Sequence, residues 1–396
     1  MSAPIKPLRI LAIVNLPWDP RLGAARVWIE LAEEWKRAGH VVEVFCLTNA
    51  FPAPTDSGVI SKIRQARFPF CAARHVRRHP DRFDVIDCLL GTLPFTKRSL
   101  GFRGLFVARS VGLYWLYERF MRESRARWSQ QGKGKFIGRV FHRLIDRHFW
   151  KSAEAALRVC DLLNVPNEGE RKVLQNDLAL STPVLVQPYG LSDHFREAFA
   201  RAATPAEKRL RGQKICFIGM WSLRKGSRDW PKIMRAIWQR HPAAEFVFLG
   251  TMLSEKVVRA ELGFENARRI SCLPTYDTAD LPRLLADAAL ALFPSYIEGF
   301  GLAVLEQLAA GLPTIAYDVP GPREILQPEA KRLLTPSGDP AAMAERASEI
   351  LALSLPDYEA LSAACRQIAA PYRWSEIAAA TIEGYRAALD SLGKVE

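Results

Sequence analysis

The stretch from Leu290 to Leu312 constrains the fold of this 396-residue chain more than any other. Leu290 to Phe293 is a short apolar run and reads as a buried strand. A turn follows, carrying Glu298 and Gly299. Phe300 to Leu312 then reads as a helix that is apolar almost all round, with Glu306 as its only charge. Such a helix is buried on several sides. A carboxylate inside it is costly unless something pairs with it. Gly299 and Gly301 leave the amides at the helix start open, and unpaired N–H groups together with the helix dipole make an anion site. From Phe300 to Glu306 the helix would rise roughly 9 Å, at about 1.5 Å per residue. A diphosphate at the helix start, one carboxylate beside it and another along the helix would suit a nucleotide-sugar. A buried strand, turn and helix with two chance glutamates would present the same residues.

The remainder of the chain repeats this alternation. Leu8 to Val14 is a β-branched apolar run of the kind found in buried parallel strands, and it reads as a first strand rather than a signal segment. A loop from Asn15 to Leu22 leads to Gly23, which opens a helix with Val27, Leu31, Trp35 and Ala38 on one face. Further strands are expected at Val41 to Leu47, Asp84 to Leu89, Leu105 to Ala108, Asp161 to Val165 and Val184 to Val186. After an Ala- and Arg-rich segment the pattern resumes with Ile215 to Ile218, Phe246 to Leu249, Ile270 to Leu273, Leu290 to Phe293 and Thr314 to Tyr317. Helices are expected at Trp230 to Arg240, Leu281 to Ala289, Ala341 to Leu353 and Trp374 to Leu392. Ligands of such sheets bind at the carboxyl ends of the strands. That rule singles out Asn15–Gly23, and also Gly219–Gly226 with its paired cations Arg224 and Lys225, whose backbone amides and charge suit a phosphate.

The block Glu298-Gly-Phe-Gly-Leu-Ala-Val-Leu-Glu306, followed by Ala310-Gly311-Leu312-Pro313, resembles the E-x7-E signature of the retaining GT-B glycosyltransferases of family 4, the glycosyl transferases group 1. Other segments are similar to the family in order along the chain: Gly23 to Arg26, Lys225-Gly226, Leu273 to Tyr276, and Pro320 to Ile325. The resemblance implies an α/β chain with the GT-B fold, two Rossmann-like domains facing a central cleft. It divides the chain into an acceptor-side domain over 1–190, a linker over 191–212, a nucleotide-sugar domain over 213–373 and a helix over 374–396 packing back on the first domain. It implies a metal-independent, retaining transferase that takes a UDP- or GDP-sugar as substrate and needs no cofactor. Glu298 would contact the donor sugar and Glu306 the ribose. Lys225, with the Phe300 and Gly301 amides, would stabilise the leaving diphosphate. Gly219, Leu302 and Gly23 would line the donor site, and Leu273 with Thr275 would cradle the base by backbone.

The chain departs from the family in places. Met220 stands where the family has an Arg directly after the first Gly, so Arg224 is the candidate for the second cation. Pro188-Tyr189-Gly190 replaces the usual Pro-Asn-Gly. Val111 occupies a place often held by His, and Asp84 to Leu89 also lacks one. His40, His79 and His148 read as structural. A non-catalytic binding protein of the same family, or a sugar-nucleotide isomerase on the same fold, remain the alternatives.

Charge and cysteine usage set the remaining expectations. The net charge is +13, and it is lopsided: residues 1–200 hold 31 Lys+Arg against 19 Asp+Glu, residues 201–396 hold 24 against 23. Within 113–158, Arg139, Arg143, Arg147 and Lys151 recur every four residues, as on a basic amphipathic helix. This is either an ordinary helix with a solvated basic face or a patch for an anionic membrane surface, with a glycan or lipid-linked acceptor in view. No recognised module points to nucleic acid. Seven cysteines without a C-x-x-C pair suggest reduced thiols and a cytoplasmic protein, peripheral to the inner face of the membrane in the second reading. No run of about 18 apolar residues predicts a transmembrane helix.

Overall fold

A computed structural model describes residues 6–55, 57–128, 147, 150–264 and 268–393. The chain divides into two compact units, the first being Met1–Pro188 with Trp374–Glu396 and the second Tyr189–Arg373.

The first unit holds a six-stranded parallel sheet: β1 (Arg9–Val14), β2 (Val41–Cys46), β3 (Val85–Leu89), β4 (Leu105–Arg109), β5 (Leu162–Val165) and β6 (Val184–Val186), in the order β2-β1-β3-β4-β5-β6. β1, β3, β4 and β5 are almost wholly buried, which is why they read as continuous apolar runs instead of alternating ones. The Gly23–Arg37 helix buries Val27, Trp28, Leu31 and Trp35. A second long helix, Gly58–Arg78, carries Pro69 inside it and is started by the Ser57 hydroxyl, which accepts from the Ile60 amide.

Polar side chains run through the middle of this unit. Arg109, at the end of β4, is fully buried and pairs with Asp87 of β3 at 2.8 Å. Trp28 Nε1 donates to Asp87 Oδ1 at 3.2 Å. The Tyr385 hydroxyl donates to Asp87 Oδ2 at 2.6 Å and accepts from Arg109 Nη2 at 2.8 Å. Arg109 Nη1 donates to Asn164 Oδ1, Asn164 Nδ2 donates to Gln187 Oε1, and Gln187 Nε2 donates to the Ile377 carbonyl, each at 3.0 Å. A buried ion pair recovers its desolvation cost only when its remaining donors and acceptors are satisfied, and here neighbours meet that need. Tyr385 and Ile377 lie on the Trp374–Gly393 helix, which these bonds and the Trp35 Nε1 bond to the Ala378 carbonyl (3.2 Å) fasten to the first sheet. Burial pushes the Tyr385 phenol well above its ordinary pKa, so it stays a donor to Asp87.

The second unit holds β7 (Lys214–Ile218), β8 (Glu245–Leu249), β9 (Ile270–Leu273), β10 (Leu290–Phe293), β11 (Thr314–Tyr317) and β12 (Leu334–Thr335), all parallel, in the order β12-β11-β10-β7-β8-β9. This is the doubly wound order whose direction reverses between the unit's first and fourth strands, β7 and β10. Residues 191–212, expected as a linker, carry the helices Asp193–Ala202 and Ala206–Gly212 and count with this unit. The helix expected from Phe300 begins two residues later and spans Leu302–Ala309. It starts late because Gly301 sits at φ 99°, outside the right-handed helical region. The helix expected over Leu281 to Ala289 ends at Leu285.

Candidate functional site

In an open parallel sheet the crevice lies outside the carboxyl ends of the strands where the order reverses. In the second unit the loops at that point are Gly219–Gly226 after β7 and Pro294–Gly301 after β10. They are packed against each other. Gly226 has φ 77°, and a Cβ there would lie 2.3 Å from the Pro294 carbonyl oxygen, so no other residue fits. The Tyr296 amide donates to the Arg224 carbonyl at 2.8 Å. Gly321 secures the other flank: at φ 87° its Cβ would fall 2.5 Å from the Phe300 carbonyl oxygen.

This packing brings the charged side chains together. Lys225 Nζ lies 2.5 Å from Glu298 Oε1, with side chains 11% and 8% exposed. Arg224 Nη1 lies 4.0 Å from the same oxygen and is more open, at 25%. Lys225 Nζ also lies 4.6 Å from the centre of the Phe293 ring, over its electron-rich face. Burial lowers the Lys225 pKa below the ordinary lysine value, Arg224 lowers it further, and Glu298 partly restores it. Glu306, on the Leu302–Ala309 helix, is 4% exposed. Phe300 is buried, while Leu273, the last residue of β9, and Thr275, just beyond it, stand at the surface. Gly219 sits at φ 150° beside the Lys225 stem.

The unit thus gathers Lys225, Arg224 and Glu298 into contact, with Gly219, Phe300, Gly301, Leu302 and Glu306 on the two adjoining loops and the helix they lead into. Gly23 belongs to the first unit, where it opens its helix. Its φ is ordinary and a Cβ would meet nothing within 4 Å, so nothing in that unit demands a glycine there. Met220 is 48% exposed, and Val111 lines a cavity in the first unit. Of the basic residues in 113–158, Arg139 and Arg143 lie outside the described residues, as does His148, whereas Arg147 and Lys151 are exposed.

Sequence reasoning missed a support behind the site. Asp229, buried at the start of the Trp230–Arg240 helix, accepts from the Tyr296 hydroxyl at 2.6 Å and the Tyr317 hydroxyl at 2.8 Å. Burial and the Asp229 charge raise the Tyr317 pKa. This bracket fixes the turn that presents Glu298. Tyr296 lies in the stretch that drew attention first, but its partners are 67 residues upstream and, through Asp229, on β11.

The carboxyl-end rule that singled out Asn15–Gly23 meets a cavity of about 410 Å³ at the ends of β1, β3 and β4, where the first sheet's order reverses, but sequence reasoning missed most of its lining. Asn15, Leu90, Gly91, Val111 and Tyr114 line it, and Gln65 reaches it from the Gly58–Arg78 helix. Its floor is set by Ser110, whose hydroxyl donates to Glu170 Oε2 at 2.6 Å and accepts from the Gly112 amide at 3.1 Å.

Two parallel α/β units, each with a crevice where its strand order reverses, define a protein of the GT-B fold. Residues 212–352 match the glycosyl transferases group 1 family. The GDP-mannose:cellobiosyl-diphosphopolyprenol alpha-mannosyltransferase of Xanthomonas campestris is 29% identical over 187 residues, covering 46% of this chain and 48% of that protein. The D-inositol 3-phosphate glycosyltransferase of Salinispora arenicola is 30% identical over 213 residues, covering 49% and 46%. The chain therefore spans about half the length of these curated relatives. The structure of sucrose-phosphate synthase from Thermosynechococcus elongatus is similar in fold over 97% of this chain and 100% of that chain, with a TM-score of 0.73 and 18% identity. Among the described residues no helix is long and apolar enough to cross a membrane.

Proposed function

We propose that the protein transfers a sugar from a UDP- or GDP-sugar to a glycan, lipid-linked glycan or glycoconjugate precursor, without a metal and with retention of the anomeric configuration. The observation that carries this reading is the Lys225–Glu298 pair at the β7/β10 crevice, inside the segment that matches the family. In the reaction the bond from the anomeric carbon to the diphosphate oxygen breaks as a bond from that carbon to an acceptor hydroxyl oxygen forms; the leaving diphosphate, on which negative charge grows, takes up the hydroxyl proton. Lys225 and the Phe300–Gly301 amides stabilise that charge where it develops, and Arg224 adds a second cation. Glu298, released from Lys225 as the diphosphate takes its place, turns to the donor sugar. Glu306 holds the ribose hydroxyls, and the backbone around Leu273 and Thr275 takes the base. The cavity of the first unit receives the acceptor. Retention rests on the family resemblance, and with a lipid-linked acceptor the protein would work at the inner face of the membrane.

A panel of nucleotide-sugars screened by thermal unfolding tests the reading. A ligand at about 100 times its dissociation constant adds roughly 2.7 kcal/mol, which is readily seen. The best binder should then be hydrolysed slowly in the absence of acceptor, releasing nucleoside diphosphate. Binding with no release, however long the incubation, would favour the non-catalytic alternative. An epimeric or isomerised sugar product formed without acceptor would favour the isomerase.

A further inference from the structure

We propose that the Gly58–Arg78 helix docks the protein on an anionic lipid bilayer, with Ile63 and Phe70 entering the headgroup–acyl boundary and Arg67, Arg74 and Arg78 resting on the headgroups. The helix has an inner and an outer face. Phe68, Ala72, Ala73 and Val76 are buried in the core of the first unit. On the other side Ile63, Arg67, Phe70, Arg74 and Arg78 are exposed, at successive spacings of four, three, four and four residues. That is the repeat of a single helical stripe. Val59 and Ile60 extend it by one turn. Ile63 is 44% exposed and Phe70 61%, and four of the six large hydrophobic side chains exposed in the described part of the first unit lie on this helix.

The charge on the same helix selects the occupant. It carries six Lys and Arg and no Asp or Glu. Arg64 and Arg77 are turned to the Ala53 and Ser99 carbonyls, while Arg67, Arg74 and Arg78 stand at the surface without a carboxylate partner among the described residues. A second copy of the chain meeting this face with its own would set cations against cations. A nucleic acid would use the cations but leave the apolar side chains in water. Apolar side chains between cations match a bilayer interface with anionic headgroups. The helix extends about 31 Å at roughly 1.5 Å per residue, enough to lie along such a surface. Gln65, on the same helix, lines the cavity of the first unit, so a docked helix would carry one wall of that cavity. The docking does not depend on the donor reading, because nucleotide binding is measured separately.

The test is flotation of the full chain with phosphatidylglycerol-containing vesicles and with pure phosphatidylcholine vesicles. The wild type should float with the anionic vesicles only, and less as salt rises. The pair Arg67→Glu and Arg74→Glu should weaken vesicle affinity at least about 25-fold, taking about fivefold per cation. Ile63→Ser with Phe70→Ser should weaken it about tenfold or more. Arg147→Glu with Lys151→Glu should leave it within about twofold. Unchanged thermal midpoints and unchanged UDP or GDP affinity would show that the variants are folded. A wild type indifferent to phosphatidylglycerol would overturn the proposal. So would helix variants that float like the wild type, or release caused only by the Arg147/Lys151 variant. A face that instead holds two copies together would show as a drop in sedimenting mass for Ile63→Ser with Phe70→Ser, and that result would also overturn it.

Discussion

Replacing Lys225 by Met removes the ammonium 2.5 Å from Glu298 and leaves a carboxylate that is only 8% exposed. Breaking a fully buried pair from one side costs about 3–5 kcal/mol, whereas an exposed pair is worth about 0–1 kcal/mol. Glu298 lies between these limits. It keeps Arg224 at 4.0 Å, and that side chain is 25% exposed. A loss of about 2 kcal/mol is therefore expected. For a unit of this size each kcal/mol shifts the melting point by about 2–4 °C, so a fall of roughly 4–8 °C should be seen. The binding effect is separate. A lost charged hydrogen bond to a diphosphate is worth about 1.5–3 kcal/mol, and at 1.4 kcal/mol per factor of ten the affinity for UDP or GDP should fall about 10- to 150-fold. Calorimetric titration with the free nucleotide gives the second number, and thermal unfolding without ligand gives the first. If the melting point falls while nucleotide affinity stays within about twofold, Lys225 serves only to neutralise Glu298 and the diphosphate reasoning is refuted.

Arg224→Ala should lower turnover by a factor similar to that for Lys225→Ala while changing nucleotide affinity less, since its charge acts mainly as the leaving group develops its own; Met220→Arg in that background should restore part of the loss, and full turnover in Arg224→Ala on the true donor would end the idea. Because burial lowers the Lys225 pKa below 10.5, its proton is lost at lower pH in the folded enzyme than in the unfolded chain, so diphosphate affinity should fall on an alkaline limb below pH 10.5. Lys225→Arg should abolish that limb, since a guanidinium stays charged, and a limb that persists would assign it elsewhere. In the first unit, Tyr385→Phe takes one bond each from Asp87 and Arg109, a loss of about 1–3 kcal/mol. It should lower the melting point by several degrees, and a melt unchanged within error would mean that the hydroxyl is dispensable.

The strands were legible because parallel strands covered on both faces leave short apolar runs between turns, and Leu290–Phe293 or Val85–Leu89 need no alternation to be recognised. Lys225, Glu298 and Glu306 were legible as a pattern, but the 2.5 Å pair was not, since it joins residues 73 apart in sequence. The Gly58–Arg78 helix went unread for a physical reason. Its apolar side chains are shared between the core face and the exposed stripe, which blurs the helical period, and Pro69 interrupts the pattern. Residues 191–212 looked like a linker by composition. Their helices are held instead by tertiary contacts, such as Arg209, which is buried and whose Nη2 donates to the Ser362 hydroxyl at 2.8 Å. The cavity of the first unit draws its lining from separate loops and helices, and no single stretch announces the whole of it.

The contrast between the two glutamates tests the central claim most directly. Free UDP and GDP are titrated into the wild type, Glu306→Ala and Glu298→Ala by calorimetry. The account predicts that Glu306→Ala weakens the preferred nucleotide by about 1.5–3 kcal/mol, the value of lost charged hydrogen bonds. Glu298→Ala should bind free nucleotide at least as well as the wild type, because Lys225 is then released to the diphosphate, and yet turn over the sugar donor more slowly. Loss of nucleotide binding in Glu298→Ala with normal binding in Glu306→Ala would contradict the assignment.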